Sequence, residues 1–409
     1  MSAYLDHAAT TPMRPAARAA WSAAANSVGN PSSAHADGRA ARATVEAARE
    51  RIAAIAAVDP SEILFTSGGT EADNLAVLGG WAARTPGRDR IVLSAVEHHA
   101  VLDAVEYLAA HDGAQVTWVA PDSAGVITAD AVASAIDRPT ITGDEPPGSD
   151  VAMVSVLTAG NEVGVLHDIP GIAAAAHRAG AVMHTDAVAA LGHVALVDRH
   201  QDRVSFPVSA LGADLVSVTA HKLGGPVGIG ALIARRGVPI APTTYGGGQE
   251  RRLRSGTVDV AGAAAFAAAL ADADEGLAEE CARQAVLRDT VIEGALSLGL
   301  DVRVTGSWTP GETRDRLAGN AHMWVPGADV DALLALLDLA GVSVAAGSAC
   351  AAGVARFSHV LTAMGYAEGT GAPIRATLGW TSSPADVEAF LSALPAAVHG
   401  ARKALAATR

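Results

Sequence analysis

The sequence predicts an α/β protein: a large, mostly parallel sheet with helices on both faces, joined to a smaller α+β domain. Three observations carry this. Short apolar runs alternate with amphipathic helical stretches through the first half of the chain. Of the 409 residues, 50% are hydrophobic and 18% charged, which is ample material for a large packed core. From about Val260 the pattern changes to long helices with isolated strands between them.

Taken in order, Ala36–Ala57 reads as a helix because Val45, Ala48, Ile52 and Ile55 recur on one face among Arg and Glu. Glu62–Thr66 reads as a strand that runs into the turn Ser67-Gly68-Gly69-Thr70, with a helix over Glu71–Ala83. Arg90–Leu93 is a strand, Val101–Ala110 a helix and Gln115–Val119 a strand. Val151–Leu157 is a long apolar strand, followed by the helix Gly171–Ala179 and the strands Ala181–His184 and Asp214–Val218. Apolar strands separated by helices imply a sheet covered on both faces. Pro139–Asp150 has the composition of a surface loop. Beyond Val260, helices fill Ala263–Leu298 and Val330–Ala340, with strands at Asp301–Thr305 and His322–Val325. The predicted division is a large domain over 16–259 and a small one made of 1–15 plus 260–409, which carries the loop of Cys350.

Charge narrows the partners. Lys+Arg 29 against Asp+Glu 43 gives a net charge of −14, which argues against nucleic acid or anionic lipid as the main partner. A small anion in a locally positive pocket stays compatible with it. No charge-free stretch approaches the roughly 20 strongly apolar residues of a spanning helix, and the segment from Met1 to Asp6 has no basic and apolar signal pattern. The cysteines, Cys281 and Cys350, form no disulfide framework, so a reducing cytoplasm is the expected compartment.

Lysine usage is the most telling count. The basic residues are almost all Arg; the lysines are Lys222 and Lys403 alone. Lys222 lies in Thr219-Ala220-His221-Lys222-Leu223-Gly224-Gly225, just past the apolar run Leu215–Val218. A lysine at the end of a parallel strand faces the crevice where such proteins bind ligands, and an amine forms a Schiff base where a guanidinium cannot.

Other segments could serve the same crevice. Ser67-Gly68-Gly69-Thr70-Glu71 is a strand, a Gly-rich turn and a helix start, the arrangement that presents backbone N–H groups to phosphate, although the lysine of a P-loop is absent. Asp186 ends the run Ala181–Asp186, where a buried carboxylate needs a cation unless it caps a helix. Glu97-His98-His99 follows a strand and could stack on a ring or move protons; no third metal ligand stands at suitable spacing beside these histidines. Cys350 sits among small residues, Gly347-Ser348-Ala349-Cys350-Ala351-Ala352-Gly353, as an accessible loop thiol or a buried small hydrophobe, whereas Cys281 reads as a packed helical residue. Gly246–Thr257 is rich in Gly and Arg and suits an anion or a subunit contact. Arg375, in the apolar run Pro373–Gly379, wants a carboxylate that a substrate could supply.

Together these motifs resemble the cysteine desulfurases, in the class V, fold-type I group of pyridoxal 5′-phosphate (PLP) enzymes. The resemblance covers nearly the whole chain and runs in the family's order: Tyr4–Pro12, Gly29–Ser33, Gly68–Glu71, Glu97-His98, Asn161–Gly164, His184–Ala187, His221-Lys222, Gly246–Thr257 and Gly347–Cys350. It implies that Lys222 forms an aldimine with PLP, that Asp186 pairs with the ring nitrogen and that His98 stacks on the ring. It further implies that Gly69, Thr70, Thr219 and His221 hold the phosphate, with Thr257 reaching in from a partner subunit of a homodimer. Asn161 and Arg375 would orient the carboxylate of L-cysteine. Cys350 would take its sulfur as a persulfide for a further acceptor, leaving L-alanine, with no metal in the reaction. The sequence departs from the family at Ala189, where a Gln is usual, at Gly160, where an Asn is usual, and in a longer stretch around Val197–Phe206. The same scaffold also serves selenocysteine lyases, C–S β-lyases, aminotransferases and epimerases, and the loss of the Gln favours those alternatives.

Overall fold

The computed structural model describes residues 2–138, 148–198, 203–347 and 357–407. Cys350 and most of the Pro139–Asp150 stretch therefore lie outside the described residues.

The chain opens with β1 (Ala3–Tyr4), α1 (Pro15–Ala25) and α2 (Ala36–Ala56). Helix α2 buries Val45, Ala48 and Ile52, as its periodicity predicts, and stops at Ala57 in the left-handed conformation. Strand β2 (Ile63–Thr66) leads into α3 (Gly69–Asn74), which continues through a π turn at Leu75–Gly79 into α4 (Gly80–Ala82). Then follow β3 (Arg90–Ser94), α5 (His99–His111), β4 (Gln115–Val119), α6 (Ala129–Ile136), β5 (Val151–Ser155), α7 (Ile169–Arg178) and β6 (Val182–Asp186). Strands β7 (Leu196–Asp198) and β8 (Arg203–Ser205) pair antiparallel, so the stretch that lengthens the chain here is a small hairpin. Strands β9 (Leu215–Thr219) and β10 (Gly230–Ala234) complete the first half.

These strands build a seven-stranded sheet in the order β2-β10-β9-β6-β5-β3-β4. All are parallel to one another except β10, which runs antiparallel to both β2 and β9. Sequence patterning did not mark β10, whose five residues Gly-Ala-Leu-Ile-Ala follow β9 after a short Gly-rich loop. Gly230 is required there: a Cβ on it would sit 2.7 Å from the carbonyl oxygen of Val218 and from the backbone of Gly68. That close approach draws the Gly68-Gly69 turn against the end of β9.

The second half contains α8 (Val260–Glu275), α9 (Leu277–Ser297), β11 (Arg303–Val304), β12 (Asn320–Pro326), α10 (Val330–Leu339), β13 (Val342–Ser343), α11 (His359–Ala363), β14 (Gly371–Thr377) and α12 (Pro384–Ala407). Strands β11-β12-β14 form an antiparallel sheet, and β13 pairs parallel with β1. Helices α9, α10 and α12 cover this unit through Val291, Ile292, Leu333, Leu337, Phe390 and Leu394, all fully buried. Helix α8 belongs elsewhere. It lies on α1 and α2, and its Phe266, Ala265 and Ala269 join the core of the seven-stranded sheet. Among the described residues no helix is long and apolar enough to cross a membrane.

Phe266 is 0% exposed where α8 meets the large sheet's core. Phe266→Ala should lower unfolding free energy by about 3–5 kcal/mol, read from the urea midpoint at unchanged slope.

Candidate active site

The parallel strands converge on one cavity at their C-terminal ends, where α/β sheets bind ligands. Its free volume is about 190 Å³. Beneath it, β6 and β9 pair with Asp186 opposite Ser217. The side chains of Asp186, Thr219, His221, Lys222 and His98 line the walls, as do Gly69 and Thr70. Asn161, Ala189 and Arg375 close the remaining side. Nine of the eleven residues singled out for cofactor, substrate or catalysis thus share one cavity wall set. The other two are Thr257, which is exposed and outside the cavity, and Cys350, which lies outside the described residues.

Lys222 projects its Nζ to the carbonyl oxygen of Ala8, and its own carbonyl is held by Nε2 of His193 at 2.9 Å. The N-terminal segment therefore covers the amine. Asp186 is 7% exposed and accepts from the backbone N–H of Val188 at 2.8 Å. It terminates a strand and caps no helix. Burial, reinforced by the nearby charge of Asp73, pushes its carboxyl up to about 7. His98 is the N-cap of α5, with Nδ1 accepting from Ala100 N at 3.1 Å. Burial, with the charge of Lys222, brings it down to about 4, so the ring is neutral at neutral pH. His221 is also lowered to about 4, by burial and then Lys222, and its Nδ1 lies 3.2 Å from Thr10 Oγ1.

The Gly-rich turn is shaped for close approach. A Cβ at Gly69 would lie 2.7 Å from Val188 Cγ2. The turn is fixed by Glu71, which accepts from Ser67 N at 2.6 Å and takes Nε of Arg254 at 2.8 Å. Arg254 thus anchors the loop whose Thr257 faces outward.

Arg375 is 2% exposed. The carboxylate it needs is supplied within the chain by Asp6, at 3.0 Å, while its Nη1 donates to the carbonyl oxygen of Asn161 at 2.9 Å. Its Nε is buried without a hydrogen-bond partner among the described residues. Cys281 is buried, donates to the carbonyl of His193 at 3.3 Å, and its thiol is pushed up to about 11 by burial; it is a packed residue.

Three buried groups were given no role by the sequence: Asp73 went unmarked, while Glu97 and His184 stood only as members of motifs. Asp73 lines the cavity one helical turn after Gly69, an i, i+4 spacing that could have revealed it. Glu97 accepts from Leu157 N at 2.7 Å, and burial holds its carboxyl well above the usual range. His184 sits between Ser155 and Ser217, 3.5 Å from Asp73. Spacing along the chain offers no third metal ligand beside His98. The fold nevertheless brings Asp73, Asp186 and His98 within 4.8 Å of one another.

The family model for aminotransferase class-V matches residues 3–390. The chain belongs to that family. Among class-V relatives, it is 48% identical over 406 residues to an "IscS-like cysteine desulfurase" of Mycobacterium tuberculosis (strain ATCC 25618 / H37Rv), covering 98% of each chain. A solved "NIFS-LIKE PROTEIN" superposes with TM-score 0.84 at 30% identity, over 98% of this chain and 100% of that one. "SspA in complex with cysteine" superposes with TM-score 0.75 at 27% identity, over 92% and 99%. These class-V likenesses bear out the resemblance read from the motifs.

The cavity fits a phosphorylated pyridine by its own chemistry. It offers an amine, a buried carboxylate to which no cationic side chain among the described residues is bonded, and a turn where a side chain at Gly69 would meet Val188.

Glu71 is held below the usual carboxylate range by Arg254 and Ser67 despite its burial. A lowered folded value means its stabilisation is complete above the unfolded value and fades as pH falls through the folded one. Glu71→Gln should cost about 1–3 kcal/mol at pH 7, and the difference from the unaltered protein should vanish in acid-range urea melts.

Proposed function

We propose that this chain is a PLP-dependent cysteine desulfurase that converts L-cysteine to L-alanine and passes the sulfur to a thiol. The observation that carries this is the meeting of Lys222, Asp186 and His98 in one cavity with Arg375 and Asn161. The relatives' names and the match of the family motifs in order support the choice of reaction.

Bound PLP supplies an aldehyde and an electron-withdrawing ring. The chain does the rest. Lys222 would offer the amine that holds the aldehyde and would carry protons. Asp186, once ionised, would keep a proton on the ring nitrogen. His98, neutral, would pack on the ring without adding charge. Gly69, Thr70, Thr219 and His221 would hold the phosphate. Arg375, whose Nε–H has no partner among the described residues, would with Asn161 orient the substrate carboxylate.

Cys350 as thiolate attacks the substrate sulfur. A sulfur–sulfur bond forms, the carbon–sulfur bond breaks, and the carbon left behind takes a proton to become the methyl of alanine. L-Cysteine and an enzyme thiol thus become L-alanine and an enzyme persulfide, without external oxidant. A sulfur-acceptor protein then collects the persulfide sulfur. The exposed Thr257 and the 81% exposed Tyr245 nearby fit a face covered by a second copy, as in a homodimer. We place the reaction in the cytoplasm.

The test is incubation with L-cysteine and a reductant: alanine and sulfide should appear in equal amounts, and alanine without sulfide, or neither, would refute the proposal. Lys222→Ala should abolish the visible absorption band of the PLP-loaded protein; an unchanged band would refute the amine's role. Cys350→Ser should keep that band and lose sulfide release by at least a hundredfold, on the order of what a missing nucleophile costs.

A further inference from the structure

Asp73 is the group in the cavity to which this mechanism assigns no task. It is 1% exposed, its Oδ1 has no hydrogen-bond partner among the described residues, and it lines the same cavity as Asp186 and Lys222. Its oxygen, an oxygen of Asp186 and a ring nitrogen of His98 lie within 4.8 Å of one another. Two buried carboxylates at that separation resist being ionised together. A packed interior keeps such a pair only where something positive enters between or beside them.

We propose that Asp73 is a positioning residue for the cofactor's ring nitrogen, sharing one proton with Asp186 so that the pair presents a single negative charge to it. This rests on the reading of the cavity as the seat of PLP.

The surroundings support a shared proton. From β6, His184 lies 3.5 Å from Asp73 and is neutral, lowered by burial to about 4. From β9, Ser217 donates to Asp73, which is the one influence favouring its charged form. Ahead of α5, burial raises the Glu97 carboxyl well above the usual range and His98 is neutral. Farther along α5, His99 and Asp103 pair with each other. On its own helix, Glu71 is neutralised by Arg254. Strands β2 and β10 bring no titratable side chain. The positive groups that line the cavity with the pair are Lys222 and Arg375, the latter paired with Asp6. Both carboxyls are accordingly raised to about 7.

The probe is pyridoxamine 5′-phosphate, which has the ring and phosphate but cannot form an imine with lysine. Its affinity for cofactor-free protein is measured from pH 5.5 to 8.5. In the unaltered protein, affinity should rise with pH as the pair ionises. Asp73→Asn removes the repulsion, so Asp186 ionises at lower pH and the profile shifts down. A group titrating at about 7 is roughly one-tenth ionised at pH 6, so Asp73→Asn should bind about tenfold tighter there, relative to each protein's own value at pH 8. Titration of the probe itself is common to both proteins and cancels. Asp73→Ser, which also removes the charge, should shift the profile the same way and serves if the Asn variant does not fold. Superimposable profiles, or a constant loss at every pH, would overturn the proposal. Failure of the unaltered protein to bind the probe at any pH would instead refute the cofactor reading itself, and this inference with it.

Discussion

A carboxylate ending a buried parallel strand is the constraint around which the rest of the structure is arranged. Asp186 receives one backbone hydrogen bond and little solvent, and among the described residues no guanidinium or ammonium hydrogen bond to it is seen. An uncompensated buried charge is costly, so the residue is tolerable when protonated and useful when a cation arrives. The strand order places it at the centre of the sheet, beside β9, which delivers Lys222 past its end. The amine, the acid and the Gly69 turn thus line one cavity, and under the proposed function they would address three parts of one small ligand.

The N-terminal segment joins the two halves of the molecule at this point. Strand β1 pairs with β13 of the second unit, and the chain then passes over the cavity. Asp6 meets Arg375 of β14, and the carbonyl of Ala8 meets Lys222. Binding and orienting groups thus come from both sheets, held in register by a few residues near the start of the chain. Beside Ala189 a second, smaller space of about 50 Å³ adjoins the first, lined by His7, His193 and Asn320. Ala8, Asn161, Ala189 and Lys222 line both spaces.

Much of this was legible in the sequence because the relevant signals are local. Apolar runs such as Leu215–Val218 marked strands, and the rarity of lysine drew attention to position 222. Asp186 and Gly69 stood out at strand ends for the same reason. What escaped was decided by tertiary contact. Strand β10 has no alternation and is defined by antiparallel pairing on both sides. Asp73 sits in an ordinary helical sequence, and only packing against β9 and β6 makes it a buried acid. The partner of Arg375 lies at the opposite end of the chain, in Asp6. Helix α8 looks like the start of the second unit by composition, yet its apolar face is spent on α1 and α2.

The most direct measurement of the central claim is to load the protein with PLP, reduce it with borohydride and map the peptides by mass spectrometry. With Lys222 and Lys403 the sole lysines, the account predicts a phosphopyridoxyl group on Lys222 and none on Lys403. A label on Lys403, or no label at all, would contradict it.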